Sequence, residues 1–135
     1  VTDYGKRFYL FVDIVKQLRS ASGCPWDREQ SPATLKRYLL EETRELLEAI
    51  DTNDRHHIKE ESGDLLYLII LLAQIHQEYG HYDIGDVLDT VTAKMIRRHP
   101  HVFADEKIET VAELREKWLE IKKGEKSAGN KPEKI

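Results

Sequence analysis

The stretch EESGDLLYLIILLAQI, residues 60–75, is the most apolar run of the chain, and it opens on acids. A bilayer span needs about 20 apolar residues. The run LLYLIILLAQI (65–75) is shorter, so it is expected to be a deeply buried helix, at the centre of a bundle or in a subunit interface. Glu61 and Asp64 at its head then raise a question that only their direction can answer. In an exposed first turn they need no explanation; pointing inward, they need a partner.

Outward from that run the chain reads as a string of helices. Phe8, Phe11, Val12, Val15 and Leu18 recur at helical spacing and predict a first helix over 3–19. SASGCPWDREQSP breaks the pattern with Gly and Pro and predicts a structured loop. Ser31 followed by Pro32 is an N-cap signal, opening a second helix to about Ile50. Asp54 caps a third helix to about Tyr79. Ile84, Val87, Leu88, Val91 and Met95 mark a fourth, stopped before Pro100. Thr110 and Glu113 have capping-box spacing and start a short fifth helix through Lys122. No strand pattern is present, and the short connections favour antiparallel packing. The fold class predicted is all-α, an antiparallel bundle of four main helices plus a short C-terminal one, in a domain over 1–125 with a polar, flexible tail at 126–135.

Composition fits this reading. The 135 residues are 40% hydrophobic and 34% charged, with 7 Gly and 4 Pro, as in helical proteins with a single core. A net charge of −4 gives no reason to expect a nucleic-acid or membrane partner. A single cysteine, Cys24, and an N-terminal stretch with charges among its apolar residues predict a reducing, cytoplasmic setting without a signal peptide.

A helix advances about 100° per residue, so the direction of each acid follows from its position. With Leu35 at zero in the second helix, Glu42 falls at roughly 340°, inside the apolar face, and Glu45 at roughly 280°, on its edge. With Ile58 at zero in the third, Glu61 falls at roughly 300°, inside the apolar arc of Leu65, Leu68, Ile69, Leu72 and Ile75, and Asp64 at roughly 240°. Four carboxylates therefore turn inward in two i,i+3 pairs, on helices whose antiparallel packing lets the pairs converge. Unpaired, each costs several kcal/mol to desolvate. A hard divalent cation compensates such a set, and oxygen-only ligation favours Mg²⁺, or Mn²⁺, over zinc or iron. The plainer alternative is neutralisation by Arg or Lys from other helices. In the fourth helix Lys94 and Arg98 interleave with Val87 and Val91 on the buried stripe; in the fifth, Trp118 and Lys122 are i,i+4 neighbours. Cations for phosphate and an indole for a base would complete the set.

These blocks also carry a resemblance. EETRE (41–45) followed by ESGD (61–64) matches the EExxE…ExxD signature of the MazG-like nucleoside triphosphate pyrophosphohydrolases, and GCPWDREQS, KMIRRHPHVF and KWLEIKKGEK resemble its flanking blocks. The resemblance implies an all-α enzyme that cuts a nucleoside triphosphate between the α and β phosphates. It implies Mg²⁺ on Glu42, Glu45, Glu61 and Asp64, with Glu41 orienting water or holding a further metal. Lys94, Arg98, Trp118 and Lys122 would contact the nucleotide, while Trp26 and Asp27 shape the pocket. It also implies a homodimer. Many members carry two tandem copies, whereas this sequence carries one. The alternatives are a catalytically silent helical dimerisation module, or a relative specialised for dUTP or phosphoribosyl-ATP.

Overall fold

The computed structural model describes residues 3–128. Seven helices follow one another there: α1 (Tyr4–Arg19), α2 (Pro25–Glu29), α3 (Pro32–Thr52), α4 (Arg55–Glu78), α5 (Ile84–Arg98), α6 (Pro100–Phe103) and α7 (Val111–Ser127). No strand occurs among the described residues. Local chemistry sets most ends. The Ser31 hydroxyl accepts from the Thr34 N–H while the Thr34 hydroxyl accepts from the Ser31 N–H, a reciprocal cap ahead of Pro32. Asn53 takes the left-handed conformation (φ 56°) that closes α3, and the Asp54 carboxylate then accepts from the His56 and His57 N–H groups to open α4. At the far end of α4, Gly80 (φ 77°) donates to Gln77 O and His81 to His76 O, the Schellman pattern.

The described residues form two compact units that divide between Ile84 and Gly85. In the first, the two-residue turn Asn53–Asp54 folds α3 and α4 into an antiparallel hairpin, and α4 also packs against α1. Val15, Leu35, Leu68, Ile70, Leu71 and Ile75 make the core, with Phe8, Phe11, Trp26, Tyr38 and Leu39 packed around it. Each fully buried Leu or Ile contributes about 1.5–3 kcal/mol of transfer free energy. Because α4 has neighbours on two sides, it buries two arcs: Leu68, Leu71 and Ile75 on one, Ile70 and Ala73 on another.

One arginine gathers the loose end of this unit. Arg19 Nη1 donates to the carbonyls of Asp27, Arg28 and Gln30 at 2.7, 3.0 and 3.0 Å, while its Nε and Nη2 fork onto the Glu78 carboxylate at 3.1 and 2.7 Å. The pairing holds the Glu78 carboxyl below the usual carboxylate range. A buried guanidinium thus ties the α2 segment to the ends of α1 and α4. Gly23 lets the chain turn there: a Cβ on it would sit 2.3 Å from Leu18 O, closer than any side chain tolerates.

In the second unit, α7 is joined to the end of α5 by the Trp118 indole N–H, which donates to Arg98 O at 2.6 Å. Lys117 pairs with Glu106 at 3.3 Å, tying α7 to the segment after α6.

The all-α reading holds, with corrections. The loop predicted over 20–32 contains α2, a single turn primed by Pro25 at its first position. A second short helix, α6, follows Arg98, again with a proline at its start. The fifth helix does not stop at Lys122 but runs to Ser127, so Lys126 and Ser127 of the expected tail are helical; residues 129–135 of that tail lie outside the described residues. Ile69, placed on the buried arc by counting, is 41% exposed, and Ile70 is buried in its stead, because the second neighbour of α4 lies on that side. Among the described residues no helix is long and apolar enough to cross a membrane.

Leu71 is fully buried at the centre of this core. Leu71→Ala is expected to cost about 2–5 kcal/mol, the range for a truncated core leucine. A urea-unfolding midpoint unchanged from wild type would refute that placement.

Candidate metal centre and nucleotide contacts

The hairpin brings the two signature segments face to face. One carboxylate oxygen each from Glu42, Glu45 and Glu61 lies within 4.8 Å of the others, a spacing that one cation can bridge. Glu61 is only 8% exposed, Glu42 is half-buried and Glu45 is partly exposed. Oε2 of Glu42 and Oε2 of Glu61 are both buried without a hydrogen-bond partner among the described residues. The other Glu61 oxygen lies 3.2 Å from His57 Nε2, one helical turn back.

That arrangement is electrostatically unsatisfied. Burial raises the Glu42 carboxyl from an ordinary 4.5 to about 7, helped by the adjacent Glu61 carboxyl and by the charges of Glu45 and Asp64. Two fates are open to such a cluster: it keeps a proton, or it takes up a cation. Hard oxygen donors with uncommitted lone pairs fit a hard divalent cation such as Mg²⁺. The arginines and lysines of the plainer alternative do not supply the charge: among the described residues no arginine or lysine forms an ion pair with Glu42 or Glu45, and the partner of Glu61 is a histidine.

Asp64 corrects the helical-wheel reading. It is exposed and stands outside the trio, although its charge is felt at Glu42. The reason lies in the packing of α4: the arc that carries Asp64 near its start becomes buried only further along, where Leu71 and Ile75 meet the core. Asp64 therefore sits at the open rim. Glu41 is also exposed, on the side of α3 shared with Arg37, Tyr38 and Arg44. His57 is a neighbour of this cluster that the sequence does not single out, although its i,i+4 spacing to Glu61 is the signal for the contact.

The CPWD segment is built into the same unit. Trp26 packs edge-on against Tyr38, ring centroids 5.2 Å apart, with Tyr38 one turn before Glu42 on α3. Asp27 is buried and accepts from the Tyr67 hydroxyl, whose pKa burial pushes above the ordinary value. Asp27 thus anchors α2 to α4.

The basic and aromatic candidates lie in the second unit. Lys94 and Arg98 are half-buried on α5, Trp118 is half-buried on α7, and Lys122 is exposed. Trp118 spends its indole N–H on Arg98 O and meets the His99 ring edge-on at 5.5 Å. Arg98 and Arg97 both pair with Glu125, which they hold below the usual carboxylate range, Arg97 contributing most. Glu125 was missed because the fifth helix was ended too early; it lies i+7 from Trp118, on the same face.

Comparison with known proteins follows from this geometry. A family model of the MazG nucleotide pyrophosphohydrolase domain matches residues 30–103, more than half of the chain and all five signature acids. The chain belongs to the MazG family. It is 46% identical over 120 residues to the uncharacterized protein YabN of Bacillus subtilis (strain 168), covering 89% of this chain and 24% of that protein. It is 44% identical over 115 residues to the nucleoside triphosphate pyrophosphohydrolase of Escherichia coli (strain K12), covering 84% of this chain and 44% of that one. The nucleoside triphosphate pyrophosphohydrolase/pyrophosphatase MazG of Thermotoga maritima is 45% identical over 122 residues, 90% of this chain and 46% of that protein. The chain thus spans between a quarter and a half of the length of these curated relatives. The crystal structure of a MazG-related protein from Thermotoga maritima superposes with a TM-score of 0.71 at 34% identity, covering 85% of this chain and 98% of that one.

The raised Glu42 carboxyl has a measurable consequence in metal-free protein. Below 4.5 it is protonated folded or unfolded and has no effect; between 4.5 and about 7 only the folded chain holds the proton, so stability falls as pH rises through that window. Urea-unfolding free energies measured in chelator across this window should decline, and Glu42→Gln should flatten the decline. A wild-type profile parallel to that of Glu42→Gln would contradict the assignment.

Proposed function

We propose that this MazG domain hydrolyses nucleoside triphosphates to a nucleoside monophosphate and pyrophosphate, as an enzyme of nucleotide-pool house-cleaning. The observation that carries the reading is the pair of buried, partnerless oxygens on Glu42 and Glu61, on a hairpin whose acids match the family signature. Names of the relatives from Escherichia coli and Thermotoga maritima support the same reaction. Glu42, Glu45 and Glu61 would hold Mg²⁺, with Mn²⁺ able to substitute, and Asp64 would join them from the rim. When bound, the ion supplies positive charge for the phosphoryl oxygens and acidifies the attacking water.

The side chains of the chain do the rest. Glu41, exposed beside the trio, would orient that water. Lys94, Arg98 and Lys122 would offset the charge of the triphosphate and of the pyrophosphate leaving group, and Trp118, its N–H already committed, would offer only its ring to the nucleotide. Trp26 would wall the first unit beside Tyr38. No nucleophilic side chain is required: water takes the nucleotidyl group at the α phosphorus as the bond to the pyrophosphate leaving group breaks.

The reading includes a homodimer. Leu40 and Leu47 on α3 and Leu66 and Ile69 on α4 are 41–62% exposed, apolar surface that a second copy of the hairpin would cover.

The deciding assay incubates the chain with Mg²⁺ and a panel of ribo- and deoxyribonucleoside triphosphates, measuring pyrophosphate and orthophosphate separately. Pyrophosphate with monophosphate is expected, and Glu61→Gln should lower the rate by about two orders of magnitude or more, the scale of losing a charge-stabilising group, without altering helical content. Orthophosphate as the only inorganic product would place the cut at the wrong bond. Metal binding is read independently of turnover: Mg²⁺ should raise the melting temperature more at alkaline than at acidic pH, because it competes with the proton on Glu42. An equal rise in Glu42→Gln would remove that residue from the ligand set.

A further inference from the structure

Arg98 is held before any ligand arrives. Its Nη2 donates to Glu125 Oε2 at 3.2 Å, while Arg97 Nε donates to Glu125 Oε1 at 2.5 Å, so one carboxylate bridges two consecutive guanidinium groups. The Glu125 side chain is 10% exposed, that of Arg98 is 20% exposed and that of Arg97 is 41% exposed. The backbone of Arg98 is also fixed, through the Trp118 indole on its carbonyl. Despite all this, Arg98 Nε is buried without a partner among the described residues.

We propose that Glu125 is the positioning residue for Arg98, and that Arg97 serves to balance its charge. The proposal rests on the reading of Arg98 as a phosphate contact and adds the residues that make it one. Displacing Glu125 would part a carboxylate only 10% exposed from both its cations, so an incoming phosphate is expected to leave it in place. Glu125 therefore stays, and Arg98 meets an incoming phosphate with the donors that it has not spent. The charges also fit. Two guanidinium groups against one carboxylate leave the cluster a net positive charge to present to an anion, whereas an Arg98–Glu125 pair alone would be neutral overall. A guanidinium held in one geometry loses less freedom when it binds than one free in solvent.

The test uses the full chain with Mg²⁺ and inorganic pyrophosphate, titrated calorimetrically. Glu125→Gln is expected to weaken pyrophosphate binding about tenfold, within the range of coupled neighbours, and to add no further loss in an Arg98→Gln background. In nitrogen-15 spectra the Arg98 Nε–H should be slow to exchange in the wild type and fast in Glu125→Gln, a readout that needs no ligand. If Glu125→Gln fails to fold, Arg97→Gln replaces it: that side chain is the most exposed of the three, and its loss should weaken pyrophosphate binding only while Arg98 is present.

Unchanged or tighter binding in the folded variant, or a loss that persists without Arg98, would overturn the proposal. Wild-type protein that hydrolyses triphosphates yet binds no pyrophosphate would overturn it too, while leaving the reaction standing. Arg98-dependent binding of pyrophosphate without hydrolysis would do the reverse.

Discussion

The α3–α4 hairpin is the constraint on which the first unit depends. Its short turn, closed by Asn53 and reopened by the Asp54 cap, sets the register in which two long helices run back along each other. That register places Glu42 and Glu45 opposite Glu61. The apolar packing that drives the hairpin together, through Leu35, Leu68, Leu71 and Ile75, also carries the acids out of water. Hydrophobic burial thus maintains an electrostatic arrangement that would not persist by itself. Each buried Leu contributes a small increment, and together they hold three carboxylates closer than mutual repulsion would leave them.

The surroundings of the hairpin are organised to keep it so. Arg19 takes three carbonyls of the α2 segment and the Glu78 carboxylate, and Asp27 takes the Tyr67 hydroxyl. These polar ties fasten α2 over the half of the hairpin that is filled with apolar side chains. Among the hairpin's acids, Asp64 and Glu41 are exposed while Glu61 is buried. A rigidly packed apolar core thus supports the signature acids carried on the same two helices.

Much of this was legible in the residues. Caps and prolines announced where α3, α4 and α7 begin, because those signals act on the few nearest backbone groups. Apolar spacing identified the inward position of Glu42 and Glu61, and that survived in the fold. Asp64 and Ile69 did not follow the same counting. A wheel assumes one neighbour along the whole helix, whereas α4 meets α3 along its length and α1 as well. The extension of α7 to Ser127 was hidden for a related reason: its last turn carries no apolar stripe, and its Glu125 is held from α5 by Arg97 and Arg98.

The sequence by itself therefore determined the helical class, most helix starts, the family and the positions of its signature acids, since all of these depend on neighbours within a turn or two or on a motif of fixed spacing. Only the tertiary structure decided which acids are stripped of water and which stay at the rim. It also decided that His57 leans on Glu61, that Trp118 spends its N–H on the backbone of Arg98, and that Glu125 stands between two arginines. Those outcomes depend on which side chains arrive from distant segments, and on how far each carboxylate is removed from solvent, neither of which is encoded in the periodicity of a single helix.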